Sequence, residues 1–134
     1  QVPLNIFQQQ IVDSLLPRAE ESGVAIAARV PLASGLLSGR YAPGTLFPEN
    51  DARGNGTVPR AQVERELANV PTLAALANAG GVSLAQASIA WVLTHSGVST
   101  VIPGAKNPSQ AESNSTAGNV SLSLEFLDHV KSLK

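Results

Sequence analysis

The 134-residue sequence contains no cysteine. That excludes disulfides, thiolate metal sites and a cysteine nucleophile, and it fits a reducing compartment. Charge is scarce and balanced: 9 Lys and Arg stand against 10 Asp and Glu, a formal net charge of −1, and no basic run occurs. A nucleic acid or an acidic membrane engaged by bulk electrostatics is therefore not an expected partner. No apolar stretch approaches the length of a membrane span and no signal-peptide pattern opens the chain, so a cytoplasmic protein is expected. Methionine is absent too, and the chain opens directly on Gln1-Val2-Pro3-Leu4, which reads as a piece of something longer.

What is present is the composition of a folded chain, 43% hydrophobic and 14% charged. The length fits one domain spanning 1–134. The Asn-x-Ser/Thr matches at Asn55, Asn114 and Asn119 are read as chance occurrences, since nothing directs the chain to secretion.

Local patterns give the element order. Val2 to Phe7 reads as a strand or its end. Ile11 to Ser22 has helical periodicity, with Pro17 kinking the helix or delaying its start and Gly23 stopping it. Val24 to Ala28 reads as a buried strand. About 31–60 is a long Gly-, Pro- and Ser-rich loop, too long for an ordinary connection, and its stretch from Asn50 to Thr57 is expected to move. Val63, Leu67, Val70, Leu73, Leu76 and Ala77 mark a helix that ends at Gly80-Gly81. Ser83 and Gln86 form a capping-box pattern before a buried helix through Leu93. Ser99 to Ile102 is β-branched and reads as a strand, and Asn107-Pro108 caps a helix running toward Ala117. A last helix is expected to bury Leu124, Leu127, Val130 and Leu133, with Trp91 in the core, His95 at a helix C-cap and His129 solvated.

Strands alternating with helices imply parallel β/α units. Three strands cannot close a barrel, and the open sheet edges would favour self-association, although the sequence does not fix an oligomeric state.

The chemistry concentrates at two strand ends. Pro31-Leu32-Ala33-Ser34-Gly35 follows one strand, and Pro103-Gly104-Ala105-Lys106-Asn107-Pro108 follows another. Each joins small residues, which let backbone amides approach a ligand, to a hydroxyl or ammonium donor. The second also opens a helix N-terminus, where free amides and the dipole favour an anion. Either could be a plain tight turn. As a pair at strand C-terminal ends they point to a phosphorylated ligand.

Four segments then resemble the aldo-keto reductase family, in order and across the chain, especially its bacterial and potassium-channel β-subunit-like branches. They are Gln1 to Phe7, Pro31 to Tyr41, Ala85 to Leu93, and Val101 to Pro108 with Gln110 and Asn114. The resemblance implies an α/β fold, the C-terminal part of a (β/α)8 TIM barrel, incomplete as given. It also implies NADP(H) as cofactor and a small-molecule carbonyl substrate in the complete protein. By position, Gln1 would address the nicotinamide carboxamide. Leu32 and Ser34 would contact the pyrophosphate, with Gly35 and Leu36 supplying close backbone. Gly104, Ala105 and Lys106 would hold the region of the adenosine 2′-phosphate, and Gln110 and Asn114 the ribose-phosphate and adenine.

Three departures stand out. Arg29-Val30 occupies positions where many relatives carry an aromatic over the nicotinamide and then a Ser; Arg29 can lie flat and donate, or serve as a strand-end salt-bridge residue. Ser113 replaces a frequent Glu. No catalytic residue is assigned, because the resemblance places the family's Asp, Tyr, Lys and His upstream of Gln1, and no metal site is assigned. The expected activity is reduction of aldehydes or ketones by a protein of which this chain carries the cofactor grip. The alternatives are a non-catalytic nucleotide-binding or regulatory module of channel β-subunit type, or an inert truncated product.

Overall fold

The computed structural model describes residues 1–134. Three short strands, β1 (Val2–Pro3), β2 (Ala27–Arg29) and β3 (Thr100–Ile102), form one sheet in the order β1-β2-β3. All pairs are parallel, with Val2 beside Ala28, and Arg29 lying between Pro3 and Ile102. The C-terminal ends of all three strands therefore meet at one edge, where loops in parallel α/β proteins carry function. Five helices surround the sheet: α1 (Leu15–Glu21), α2 (Arg60–Ala79), α3 (Leu84–Leu93), α4 (Pro108–Thr116) and α5 (Leu124–Ser132). No single helix is long and apolar enough to cross a membrane.

Helix boundaries follow local chemistry. Pro17 delays α1, which begins at Leu15 so that the ring falls in the first turn, where an amide hydrogen has no helical partner. Gly23, at φ +64°, ends it: the Gly23 N–H donates to Glu20 O (3.1 Å) and the Val24 N–H to Ala19 O (2.8 Å). That closure shifts the second strand relative to the sequence expectation. Val24 still serves the helix end and is 56% exposed, so pairing starts only at Ala27.

The core joins Leu4 and Ile6 after β1, Ala28 of β2, Leu36 and Leu37, the inner faces of α2 and α3, and Phe126 with Val130 of α5. Trp91 takes part as expected. The buried Gln9 carboxamide donates to Ile6 O (2.7 Å) and Val130 O (3.1 Å), tying α5 to the turn after β1.

Two expectations for α5 are corrected. Leu124 is 78% exposed, because the buried stripe runs through Phe126 and Val130, an i,i+4 pair one helical face away. His129 is not solvated at its tip, since its Nε2 is buried without a hydrogen-bond partner. In α2, Glu66 is buried against the core; desolvation pushes its carboxyl above the usual range, partly opposed by the Gln62 Nε2 hydrogen bond (2.8 Å).

Candidate functional site

The chain leaves β2 through strained backbone. Val30 has φ 56°, Ala33 φ 47°, Ser34 φ 53° and Gly35 φ 90°. A β-branched residue in the left-handed region is an outlier, and such residues cost about 1–3 kcal/mol each. The surroundings hold them there. The Ala33 N–H donates to Val30 O (3.0 Å), and the Gly35 and Leu37 N–H groups both donate to Leu32 O (2.9 and 3.2 Å). Leu36 and Leu37, 2% and 0% exposed, then anchor the 3-10 turn Ala33–Ser38 in the core. Gly35 is favoured by its left-handed φ of 90°, with the Arg53 guanidinium in ordinary contact distance of where a Cβ would stand.

Arg53 organises the rest of this side. Its Nε and Nη2 grip the Asp51 carboxylate at 2.8 and 2.5 Å, and its Nη1 donates to Ser34 O at 2.8 Å. The guanidinium carbon lies 4.1 Å from the Phe47 ring centre and 4.8 Å from that of Tyr41, while the two rings meet edge to face at 5.0 Å. The Arg53 guanidinium and backbone N–H together hold the Asp51 carboxyl down to about 2, with Lys106 adding a smaller pull from across the cleft. Arg53 is raised in turn, chiefly by its bonds to Asp51. Gly54 lets the turn close, since a Cβ would sit 2.3 Å from Pro48 O. The stretch from Asn50 to Thr57, expected to move, is thus tied to the β2 loop through one partly buried side chain, that of Arg53.

The loop after β3 is built from caps. Asn107 Oδ1 accepts the Gln110 N–H (2.9 Å) and Pro108 opens α4, as the sequence pattern requires. The Lys106 N–H donates to Gln110 Oε1 (2.8 Å), and Asn114 Nδ2 donates to Gly104 O (3.3 Å). Gln110 and Asn114 therefore hold the loop with one end of each carboxamide and leave Gln110 Nε2 and Asn114 Oδ1 available.

Helix α3 starts between these two loops. Its capping box is complete: Ser83 Oγ accepts the Gln86 N–H (3.2 Å) and Gln86 Oε1 accepts the Ser83 N–H (3.0 Å). Gln86 Nε2 then reaches Thr116 Oγ1 (2.8 Å) and links α3 to α4.

The loops and this helix start enclose a cleft of about 610 Å³, within the range of small-molecule sites. Arg40, Arg53 and Lys106 line it, with Ser34, Ser38, Ser83 and Ser113, and no Asp or Glu does. Arg53 is already paired with Asp51, so Arg40 and Lys106 are the lining cations without a carboxylate partner; together with the hydroxyl groups and a helix N-terminus they favour an anionic ligand.

Of the residues singled out in the sequence, Leu32, Ser34, Gly35, Gly104, Ala105, Lys106, Gln110 and Asn114 come together in this cleft. Gln1, Arg29 and Leu36 do not line it. Leu36 is a core side chain, while Gln1 and Arg29 are exposed at the start of β1 and the end of β2, and Arg29 makes no ion pair. Sequence reasoning missed Arg53 and Arg40. The signal for Arg53 was an Asp-x-Arg-Gly pattern in an otherwise polar loop, the spacing of a local Asx turn whose basic residue must point somewhere. His95 takes its expected C-cap role, its Nδ1 lying 3.0 Å from Trp91 O.

The sequence model of the aldo/keto reductase family matches residues 1–134. A probable voltage-gated potassium channel subunit beta of Oryza sativa subsp. japonica is 33% identical over 96% of this chain and 41% of its own length. An L-glyceraldehyde 3-phosphate reductase of Escherichia coli O157:H7 is 34% identical over 87% of this chain and 35% of its own. Among solved structures, a glycerol dehydrogenase from Gluconobacter oxydans superposes with a TM-score of 0.83 at 30% identity, covering 98% of this chain and 40% of that one. The chain thus spans about two-fifths of the length of the relatives it matches.

Proposed function

The chain belongs to the aldo/keto reductase family, and from that premise we propose that its cleft grips the phosphates of NADP(H) in an oxidoreductase that converts aldehydes or ketones to alcohols. The fold is the C-terminal part of that family's (β/α)8 barrel, with the sheet edge that carries the cleft. The observation behind the reading is the pair of cations without a carboxylate partner, Arg40 and Lys106, in a cleft lined by no Asp or Glu, with Arg53 held on Asp51 at its wall.

The dinucleotide would supply hydride when bound. The chain's own residues bind and orient it. Ser34 and Gly35, both left-handed, and Leu32 before them offer close backbone to the pyrophosphate, and Arg40 offers charge, with Arg53 holding the loop. Leu36 contributes by anchoring that backbone from the core rather than by contact. Lys106, with Gly104 and Ala105, suits the adenosine 2′-phosphate, and Gln110 Nε2 and Asn114 Oδ1 suit the ribose and adenine. Gln1, at the start of β1, and Arg29, at the end of β2, are assigned to the nicotinamide side. None of the cleft's groups is set up as the proton donor that carbonyl reduction needs. Tyr41, the only tyrosine, packs edge-on against Phe47 beneath Arg53. The catalytic acid and the carbonyl-binding pocket are therefore assigned to the rest of the barrel in a longer cytoplasmic protein.

Fluorescence titration of the chain with NADPH and with NADH tests this reading. Saturable binding with NADPH the tighter ligand is expected; no binding of either would overturn it. The potassium-channel relatives support a second reading, a nucleotide-binding module without turnover. Aldehyde-dependent NADPH oxidation by the full-length protein would exclude that module.

A further inference from the structure

Asn5 lies outside the cleft, two residues beyond β1, and is 1% exposed. Its carboxamide is committed on both sides. Nδ2 donates to Val30 O (3.1 Å) and to Gln8 Oε1 (3.0 Å), and Oδ1 accepts the Phe7 N–H (3.0 Å). The Asn5 backbone is fixed as well, through a bridge to Gln8.

The acceptor at Val30 matters because of where it sits. Val30 joins β2 to the loop that lines the cleft, and its φ of 56° is disfavoured twice: the side chain is β-branched, and the next residue is Pro31, which pushes its predecessor toward extended backbone. Two donors meet the Val30 carbonyl, the Ala33 N–H from within the loop (3.0 Å) and Asn5 Nδ2 from the neighbouring strand end. Only the second comes from outside the strained segment. It fixes the peptide plane from which Leu32, Ser34 and Gly35 reach the cleft.

We infer that Asn5 is a positioning residue for the phosphate-binding loop: it holds the Val30 carbonyl so that the left-handed Val30-Pro31 junction presents Leu32 to Gly35 to the ligand. This role deepens the nucleotide reading and rests on it.

The test compares the parent chain with Asn5→Ala, Val30→Gly and the double variant. NADPH affinity is read by fluorescence titration, and amide exchange and thermal unfolding are read without nucleotide. Asn5→Ala is expected to raise the NADPH Kd about tenfold, in line with removal of one buried donor. It should also speed exchange at Ala33, Gly35 and Leu37 before the core amides. Glycine adopts positive φ freely, so Val30→Gly in the Asn5→Ala background should bring the Kd back to within about threefold of the parent. The same change should leave the loss in Tm from the unpaired Phe7 N–H uncorrected. Asn5→Asp, which keeps the shape and the bond from Phe7 but loses both donors, should weaken NADPH as Asn5→Ala does. A parent that binds NADPH while Asn5→Ala binds it equally well overturns the positioning role alone. So does affinity that falls only in step with Tm and is not rescued by Val30→Gly, or failure of both Asn5 variants to fold. A parent that binds no NADPH overturns the reading of the cleft, and the positioning role with it.

Discussion

The loop after β2 holds three non-glycine residues at positive φ, Val30, Ala33 and Ser34, whereas the loop after β3 holds no residue at positive φ. The first is kept in place by partners far along the chain: Asn5 at Val30, Arg53 at Ser34, and the core around Leu36 and Leu37. The second is held by bonds spanning ten residues or fewer, from Asn107 to Gln110, Lys106 to Gln110 and Asn114 to Gly104. Both present cationic groups to the same cleft. Strain that is offset by distant contacts makes the β2 side dependent on the rest of the molecule, and local capping makes the β3 side nearly self-sufficient. Damage to the first should therefore spread, while damage to the second should stay where it is made.

Removing the clamp is the harshest test of that contrast. Arg53→Ala strips the Ser34 carbonyl and the Asp51 carboxylate of their partner and uncovers the faces of Tyr41 and Phe47. Loss of charge-assisted bonds of this kind is worth about 2–3 kcal/mol, or roughly 30- to 150-fold in affinity. NADPH titration should show that loss, and amide exchange should show faster opening across 41–59 and in Ala33 to Leu37 together. Weakened binding with exchange unchanged outside Arg53's own turn would mean that the β2 side is not held from a distance.

Lys106→Ala makes the matching change on the other side. It removes one charge and no bond that shapes the loop, because only the Lys106 backbone N–H is used there. Affinity for NADPH should fall about tenfold and affinity for NADH much less, with Tm almost unchanged, as expected for loss of one ligand-facing charge. Equal loss for both dinucleotides in parallel titrations would remove the 2′-phosphate assignment. A fall in Tm comparable to that of Arg53→Ala would erase the distinction between the two sides.

The same division explains what the sequence made legible. The β3 side could be read because its determinants lie within a few residues: Asn107 before Pro108 is a cap whatever surrounds it, and the Ser83 and Gln86 pair likewise. Parallel β/α order followed from periodicity, and Gly23 and Pro17 set α1 as their backbone limits require. On the β2 side the small residues were visible but the means of holding them were not. Arg53 acts 19 residues from Ser34, and Asn5 acts 25 residues from Val30, so the Asp51-x-Arg53 pattern shows a turn but not what Arg53 holds, and nothing local marks Asn5. Leu36 looked like a loop residue beside Gly35, yet the 3-10 turn rotates its side chain into the core. On α5 the periodicity through Leu127, Val130 and Leu133 holds, but its first member fails: Leu124 is exposed and Phe126 takes the buried place at that end of the helix.

Acid provides the mildest test. Asp51 is held down to about 2 from its ordinary value of 3.8, mainly by Arg53. A depressed carboxyl contributes stability that is fully present above the unfolded value, near 4, and is lost as pH falls through the folded value, near 2. The Asp51 carboxyl carbon, followed by NMR, should therefore titrate with a midpoint near 2, and the ring protons of Phe47 and Tyr41 should shift with it as the guanidinium loosens. Amides from Gly104 to Gln110 should stay largely still across that interval, since no carboxylate shapes their loop. In Arg53→Ala the Asp51 midpoint should return toward 3.8 and the ring shifts should vanish. Because the pair is partly open to solvent, the accompanying change in stability should be small and should shrink with added salt. A midpoint near 4 in the parent would mean that Arg53 is not seated on Asp51, and the β2 side would then lose the contact that sets it apart.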